Sequence, residues 1–201
     1  NPLRNTIIKH NYTFSGVNTP RPPVNAFGLN YGVKNMVLDS NYFTGQLRLG
    51  FNNTPVFEAS VRGNKIQAGI PTIYGYYLWG FAMNDFPDNE YIPNATGKGL
   101  EYFILPNRYE PNLSRLVMYN WDSSATISIR AKDLGLTSGD IYTLIQVMDY
   151  EHDVVTDTIL TQDQMVNISM IQHTMADVIG SSKKAVSQFP VFGVFILDKI
   201  G

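Results

Sequence analysis

Short apolar stretches alternate with polar positions over the first third of the chain, and the alternation repeats. Segments 6–16, 36–45 and 59–69 each carry an asparagine with an aliphatic residue three positions before it and a glycine four or five after it. The asparagines are Asn11, Asn41 and Asn64, so they recur after 30 and then 23 residues. Within each segment the period is two, the signature of a strand, which puts Ile8, Leu38 and Val61 on an inward face and Lys9, Asp39 and Arg62 on the outward one. A spacing of this size suits one coil of a solenoid. Asparagines stacked from coil to coil can bond amide to amide, as in other cross-strand stacks. The residue also tolerates the left-handed conformation that tight corners need. Residues 17–30 interrupt the repeat with the rigid run Pro20-Arg21-Pro22-Pro23 and read as a surface loop.

Beyond residue 72 the pattern changes to separate strands, expected at 73–81, 99–105, 114–120, 125–131, 141–149, 166–170 and 191–197, with turn signals between most of them. Seven short strands at this spacing predict an antiparallel sandwich. A single short helix is expected at 174–179. The composition shift near 70, followed by the aromatic-rich stretch 74–81, divides the chain into domains 1–71 and 72–201.

A strand, a tight turn at asparagine and a second short strand, repeated three times, resemble the right-handed parallel β-helix proteins of the pectate-lyase-like superfamily over about residues 5–70. Segments 107–111, 116–122, 140–142 and 192–195 resemble, in pattern and order, the C-terminal β-sandwich module appended to extracellular bacterial β-helix and glycan-active proteins. The resemblance implies an all-β chain, the last coils of a right-handed parallel β-helix followed by an antiparallel β-sandwich. It also implies a secreted or cell-surface location and polysaccharide as partner. A bare solenoid end exposes apolar cross-section and unpaired strand edges, so the sandwich is expected to cap the last coil, with the 74–81 aromatics as the joint. Asn1-Pro2-Leu3-Arg4 carries neither initiator Met nor signal peptide and reads as the start of an excised piece, which makes upstream β-helix coils of the same parent chain the other expected partner.

Charge and composition narrow the function. Fifteen Lys+Arg against seventeen Asp+Glu in 201 residues leave no basic footprint for nucleic acid or an anionic membrane. The longest apolar run, 192–197, is far short of the roughly 20 residues of a membrane span, so neither nucleic acid nor membrane insertion is expected. Zero cysteines remove disulfides, thiolate metal sites and cysteine nucleophiles together. There is no Gly-x-Ser-x-Gly elbow, phosphate loop or dinucleotide fingerprint.

Four groups of residues are candidates for chemistry. Lys9, Asp39 and Arg62 occupy one repeat position on coils about 4.8 Å apart. The resemblance implies that such a face carries calcium-binding carboxylates and a proton-abstracting base. One carboxylate is too few for calcium, and alternating charges also describe a salt-bridge ladder. Asp39 with Glu58 is a conceivable hydrolytic pair. Tyr76, Tyr77, Trp79, Tyr119 and Trp121 offer flat faces to sugar rings, or else belong to the core. Asp149, Glu151 and Asp153 end a strongly apolar strand and are the better of two acidic clusters for calcium, the other being 85–90; calcium is the one cofactor left open. His10, His152 and His173 stand apart from one another, at no metal-ligand spacing. Five Asn-x-Ser/Thr sequons, at Asn11, Asn52, Asn94, Asn112 and Asn167, need no glycan in an asparagine-rich chain, for which a bacterial source is expected.

The chain is therefore expected to be a non-catalytic fragment of a secreted protein that binds or processes polysaccharide. An adhesin or surface-fibre segment with a partner-binding sandwich is the first alternative. A polysaccharide lyase with its site on the β-helix face, or failing that a glycoside hydrolase, is the second.

Overall fold

The computed structural model describes residues 3–14, 25–29, 31, 33–50, 56–67, 78–79, 81–92, 99–150, 154–171, 179–180, 182 and 187–200. The chain is all-β and divides into two compact units, Asn1–Thr96 and Gly97–Gly201.

The first unit contains β1 (Leu3–Arg4), β2 (Ile7–Lys9), β3 (Asn25–Leu29), β4 (Val33–Lys34), β5 (Val37–Asp39), β6 (Tyr42–Thr44), β7 (Gln46–Leu49), β8 (Val56–Phe57), β9 (Ser60–Arg62), β10 (Lys65–Gln67), β11 (Leu78–Trp79) and β12 (Glu90–Ile92). They form four parallel sheets of three strands, ordered β1-β4-β8, β2-β5-β9, β6-β10-β12 and β3-β7-β11. Each pass of the chain thus lays its strands beside those of the pass before. Ile8, Leu38 and Val61 lie in register, as do Phe43, Ile66 and Tyr91. Leu38, Phe43, Val61 and Ile66 are buried in one core with Val33, Met36, Leu47 and Leu49, and Ile8 packs against it. The unit reaches past the boundary expected at 71–72 because β11 and β12 still pair in parallel with β7 and β10.

A line of carboxamides runs through this stack. Asn11 donates its backbone N–H and its Nδ2 to Asn41 Oδ1, both at 2.9 Å. Asn41 does the same to Asn64 Oδ1 at 3.0 and 2.8 Å, and Asn64 to Asn89 Oδ1 at 3.0 and 2.8 Å. Each receiving asparagine sends Nδ2 back to the carbonyl of the preceding pass, Asn41 to Ile8, Asn64 to Leu38 and Asn89 to Val61. Asn41 and Asn64 are buried, so their polar groups are tolerated only because every one is paired. The left-handed corner lies one residue earlier than expected, at His10, Ser40 and Gly63, whose φ values are 54°, 55° and 62°. The rung asparagine itself keeps its side chain turned into the ladder. Asn5 and Asn35 do adopt the left-handed form, at the other corner, joined by a 2.8 Å amide bond.

The ladder has unlike ends. At Asn89 the next acceptor is supplied locally: Nδ2 donates to Phe86 O at 2.9 Å, and Tyr91 Oη joins it there at 3.0 Å. Phe86 holds the position three before the asparagine, as Val61 does, and packs with Phe81 against the core in an edge-on pair 5.6 Å apart. A 3-10 turn, Met83–Asp85, and Pro87, which lacks an N–H, replace the strand that would follow β9. At the Asn11 end, Oδ1 accepts nothing from the described residues, β1 and β2 are outer strands, and Ile7 is 68% exposed.

The second unit contains β13 (Leu100–Pro106), β14 (Leu113–Asn120), β15 (Thr126–Arg130), β16 (Ile141–Gln146), β17 (Val154–Thr158), β18 (Met165–Ser169) and β19 (Phe192–Lys199). An antiparallel sheet, β13-β14-β19-β16-β17, and the pair β15-β18 enclose one core. Leu116, Met118, Leu144, Phe195 and Leu197 come from the larger sheet, and Ile127, Ile129, Val166 and Ile168 from the smaller. Five of the expected strands stand within two residues of their places. The expected strand 141–149 stops at Gln146 and passes into a 3-10 turn, Val147–Asp149. Strand β17 was not expected: it is an edge strand exposed at all five residues, so nothing forces its side chains to alternate. Of the expected strand 73–81, residues 73–77 and 80 lie outside the described residues. So does the expected helix, apart from Ile179, which lies in a turn.

The ladder predicts a graded sensitivity. Asn64→Ala leaves the backbone N–H of buried Asn41 without its acceptor, at about 1–3 kcal/mol for a buried group left unpaired, whereas Asn11→Ala at the exposed end leaves stability nearly unchanged. Urea denaturation followed by circular dichroism of the two variants would reveal a ladder of no consequence by equal midpoints.

Candidate functional site

The outward column forms as the repeat dictates. Lys9, Asp39 and Arg62 are register partners on β2, β5 and β9. Asp39 Oδ2 lies 3.1 Å from Lys9 Nζ and 3.7 Å from an Arg62 guanidinium nitrogen, while Oδ1 accepts from Ser40 Oγ at 2.9 Å. The Ser40 hydroxyl first, then the Lys9 ammonium and the Arg62 charge, hold this carboxyl below its usual value. Both oxygens are occupied and the carboxylate is flanked by cations. That arrangement stabilises the charged form of Asp39. Glu58 is exposed and lies 3.8 Å from Lys34 Nζ. His10 is exposed at a left-handed corner.

The aromatic candidates separate. Tyr76 and Tyr77, and the side chain of Trp79, lie outside the described residues. Tyr119 is fully buried, its ring stacked on Trp121 at 5.7 Å, tilted against Phe192 at 5.1 Å and edge-on to Phe103 at 6.2 Å. It presents no face to solvent. Trp121 is half-buried, with Nε1 donating to Glu101 Oε2 at 3.2 Å. Asn120 anchors this corner by donating Nδ2 to the carbonyls of Ser124 and Pro190, both at 2.8 Å.

Among the described residues no three His, Asp or Glu side chains converge on a metal position. Asp149 closes the 3-10 turn after β16, while Glu151, His152, Asp153 and His173 lie outside the described residues. In the other acidic cluster, Asp85 Oδ2 accepts the Ala82 N–H at 2.7 Å and Glu90 pairs with Lys65 at 3.5 Å.

One concave site was missed. A cleft of about 410 Å³ opens in the second unit. Its floor is Leu134, Leu136 and Leu197, its walls include Pro106 and Pro111, and Asn112, Ser114, Lys132 and Lys199 line it with polar groups. These positions fall in three stretches remote from one another in sequence, and no motif joins them.

The chain matches no protein-family model, and neither a curated protein nor a solved structure is similar to it.

Two outcomes follow from this geometry. A carboxylate with a lowered folded value stabilises the fold fully above its unfolded value, about 3.9, and loses that contribution as pH falls through the folded value. Wild type should therefore melt above Asp39→Asn at neutral pH, and the gap should close below about pH 4; a gap that persists in acid would remove the ion column from the stability of the fold. Tyr119→Ala should cost about 3–5 kcal/mol, as buried aromatic truncations do, and half-buried Trp121→Ala clearly less, read by denaturant unfolding of each variant.

Proposed function

We propose that this chain is non-catalytic: the closing coils of a right-handed parallel β-helix, joined to a β-sandwich that contacts glycan for a larger, secreted, polysaccharide-handling protein. The observation that carries the reading is the polarity of the amide ladder. At Asn89 the chain supplies its own terminal acceptor and covers the core with Phe81 and Phe86. At Asn11 an amide oxygen, two strand edges and exposed Ile7 stand ready for a preceding coil. Parallel strands without neighbours are stabilised by continuing the stack. The partner at this end is then an upstream coil with an asparagine at the rung position, donating its N–H and Nδ2 to Asn11 Oδ1. The non-catalytic part rests on Asp39, whose two oxygens are already bound.

A second reading, a partner-binding module on a surface fibre, is favoured by β17. This edge strand leaves Val154 and Val155 each 45% exposed, a fit for pairing with a strand of another protein.

The coil reading is tested by copying residues 33–55 directly ahead of Leu3, which sets a new asparagine 23 residues before Asn11. The melting temperature should rise by about 2–4 °C for each kcal/mol the added coil contributes, and the rise should shrink when the copied rung asparagine is alanine. No rise, or the same rise with alanine, would discard the docking end. Incubation with acidic polysaccharide should release no unsaturated uronate; release would place a lyase site in this chain.

A further inference from the structure

The outermost pass of the first unit, β1 and β2 with their corners, carries charge of one sign. Residues 1–38 contain Arg4, Lys9, Arg21 and Lys34 and neither Asp nor Glu, in a chain whose net charge is −2. Arg4 and Lys9 are exposed on β1 and β2, the outer strands of their sheets. Arg4 makes no ion pair among the described residues, and its register partner is Lys34, a like charge. Cations directly opposite one another on neighbouring strands are destabilising, and a carboxylate on the other side of Arg4 relieves this. Lys9 Nζ meets Asp39 at 3.1 Å. An ammonium has three N–H donors, so two are left for a neighbour on the open side.

The amides at this end are equally selective, because two ladders run in opposite directions. At the rung corner each pass donates to the one after it, Asn11 Nδ2 to Asn41 Oδ1 at 2.9 Å, which leaves Asn11 Oδ1 as an acceptor. At the other corner the later pass donates to the earlier, Asn35 Nδ2 to Asn5 Oδ1 at 2.8 Å, which leaves the exposed Asn5 Nδ2 as a donor. The two corners keep a constant spacing of six residues, Asn5 to Asn11, Asn35 to Asn41 and Glu58 to Asn64. Between them Ile8 is only half-buried, whereas Leu38 and Val61, which follow it in register, are 0% and 3% exposed.

We propose that this end selects a preceding coil of the parent chain by the pattern acidic, acceptor, x, x, aliphatic, acidic, x, Asn. The two acidic residues fall at the register positions of Arg4 and Lys9. An amide or carboxylate oxygen accepts from Asn5 Nδ2, the aliphatic side chain covers Ile8, and the asparagine donates to Asn11 Oδ1. This rests on the reading of the first unit as the closing coils of a longer stack and adds what the coil before them carries.

The test uses the extended chain in which residues 33–55 are copied ahead of Leu3. The copy sets Asn35, Leu38, Asp39 and Asn41 at the required places but brings Lys34 opposite Arg4. Melting is followed by circular dichroism. Lys34→Glu within the copy should raise the melting temperature by about 2 °C or more, and Asp39→Lys within the copy should lower it by as much, the size of exposed charge pairs in a chain of this length. Both shifts should shrink by about half or more in salt near 1 M, where the screening length is about 3 Å. Arg4→Gln should cancel the gain from Lys34→Glu and leave the loss from Asp39→Lys, as a pairwise interaction does and a change of net charge does not. A rise that is equal for all three copies would overturn the charge selection and leave the coil reading standing. Shifts that Arg4→Gln leaves untouched would overturn the pairing with Arg4. No rise with any copy would overturn both readings. Polyglutamate added to the unextended chain should not move its melting temperature; a rise as large as the copy's, lost with Arg4→Gln, would replace the coil by a soluble polyanion.

Discussion

The buried amide ladder sets the conditions under which the first unit folds. Parallel stacking of short strands leaves each pass to turn a corner next to the core, where backbone carbonyls lose water. Asn41 and Asn64 satisfy those carbonyls and one another at once. A slip of one residue in any pass would turn Leu38 or Val61 outward and break amide bonds on both sides of the slipped rung. The same register aligns Lys9, Asp39 and Arg62, so the ion column follows from the ladder.

Much of this was legible because it repeats. An asparagine with an aliphatic residue three before it identified three rungs. The fourth escaped because Phe86 stands at the aliphatic position, Pro87 at the position of Lys9, Asp39 and Arg62, and neither continues a strand pattern. That departure is the physical termination of the stack, so the fourth rung was obscured by what ends it. The corner was placed one residue late for a related reason: asparagine is the residue most often credited with left-handed backbone, and here three of its copies are needed for their amides, leaving His10, Ser40 and Gly63 to take the strain.

In the second unit, alternation located strands well and failed to assign surfaces. Along β14, Leu116 and Met118 face the shared core while Val117 and Tyr119 point the other way, and all four are buried. Periodicity separates two faces without saying whether one of them is covered. Tyr119 therefore read as a sugar platform when it is the centre of an aromatic cluster. The cleft was invisible for the opposite reason. Pro106 with Pro111, Lys132 and Lys199 come from three distant stretches, and antiparallel pairing of β14 with β19, together with the turn after β15, gathers them.

The two units also differ in how their charges are committed. In the first, Asp39 is held by the Ser40 hydroxyl and by Lys9 and Arg62, which keep its carboxyl below the usual value. In the second, Asp140 and Asp163 are likewise held below their usual values, Asp140 by Lys199 and the Thr137 N–H and Asp163 by Lys132. There the cations, unlike the carboxylates, have capacity to spare. An ammonium can keep one carboxylate and accept another ligand oxygen, whereas a carboxylate between two cations gains little from a third. The carboxylates of both units are thus committed to the fold, Asp39 to the register of β2, β5 and β9 and Asp140 to the turn that leads into β16.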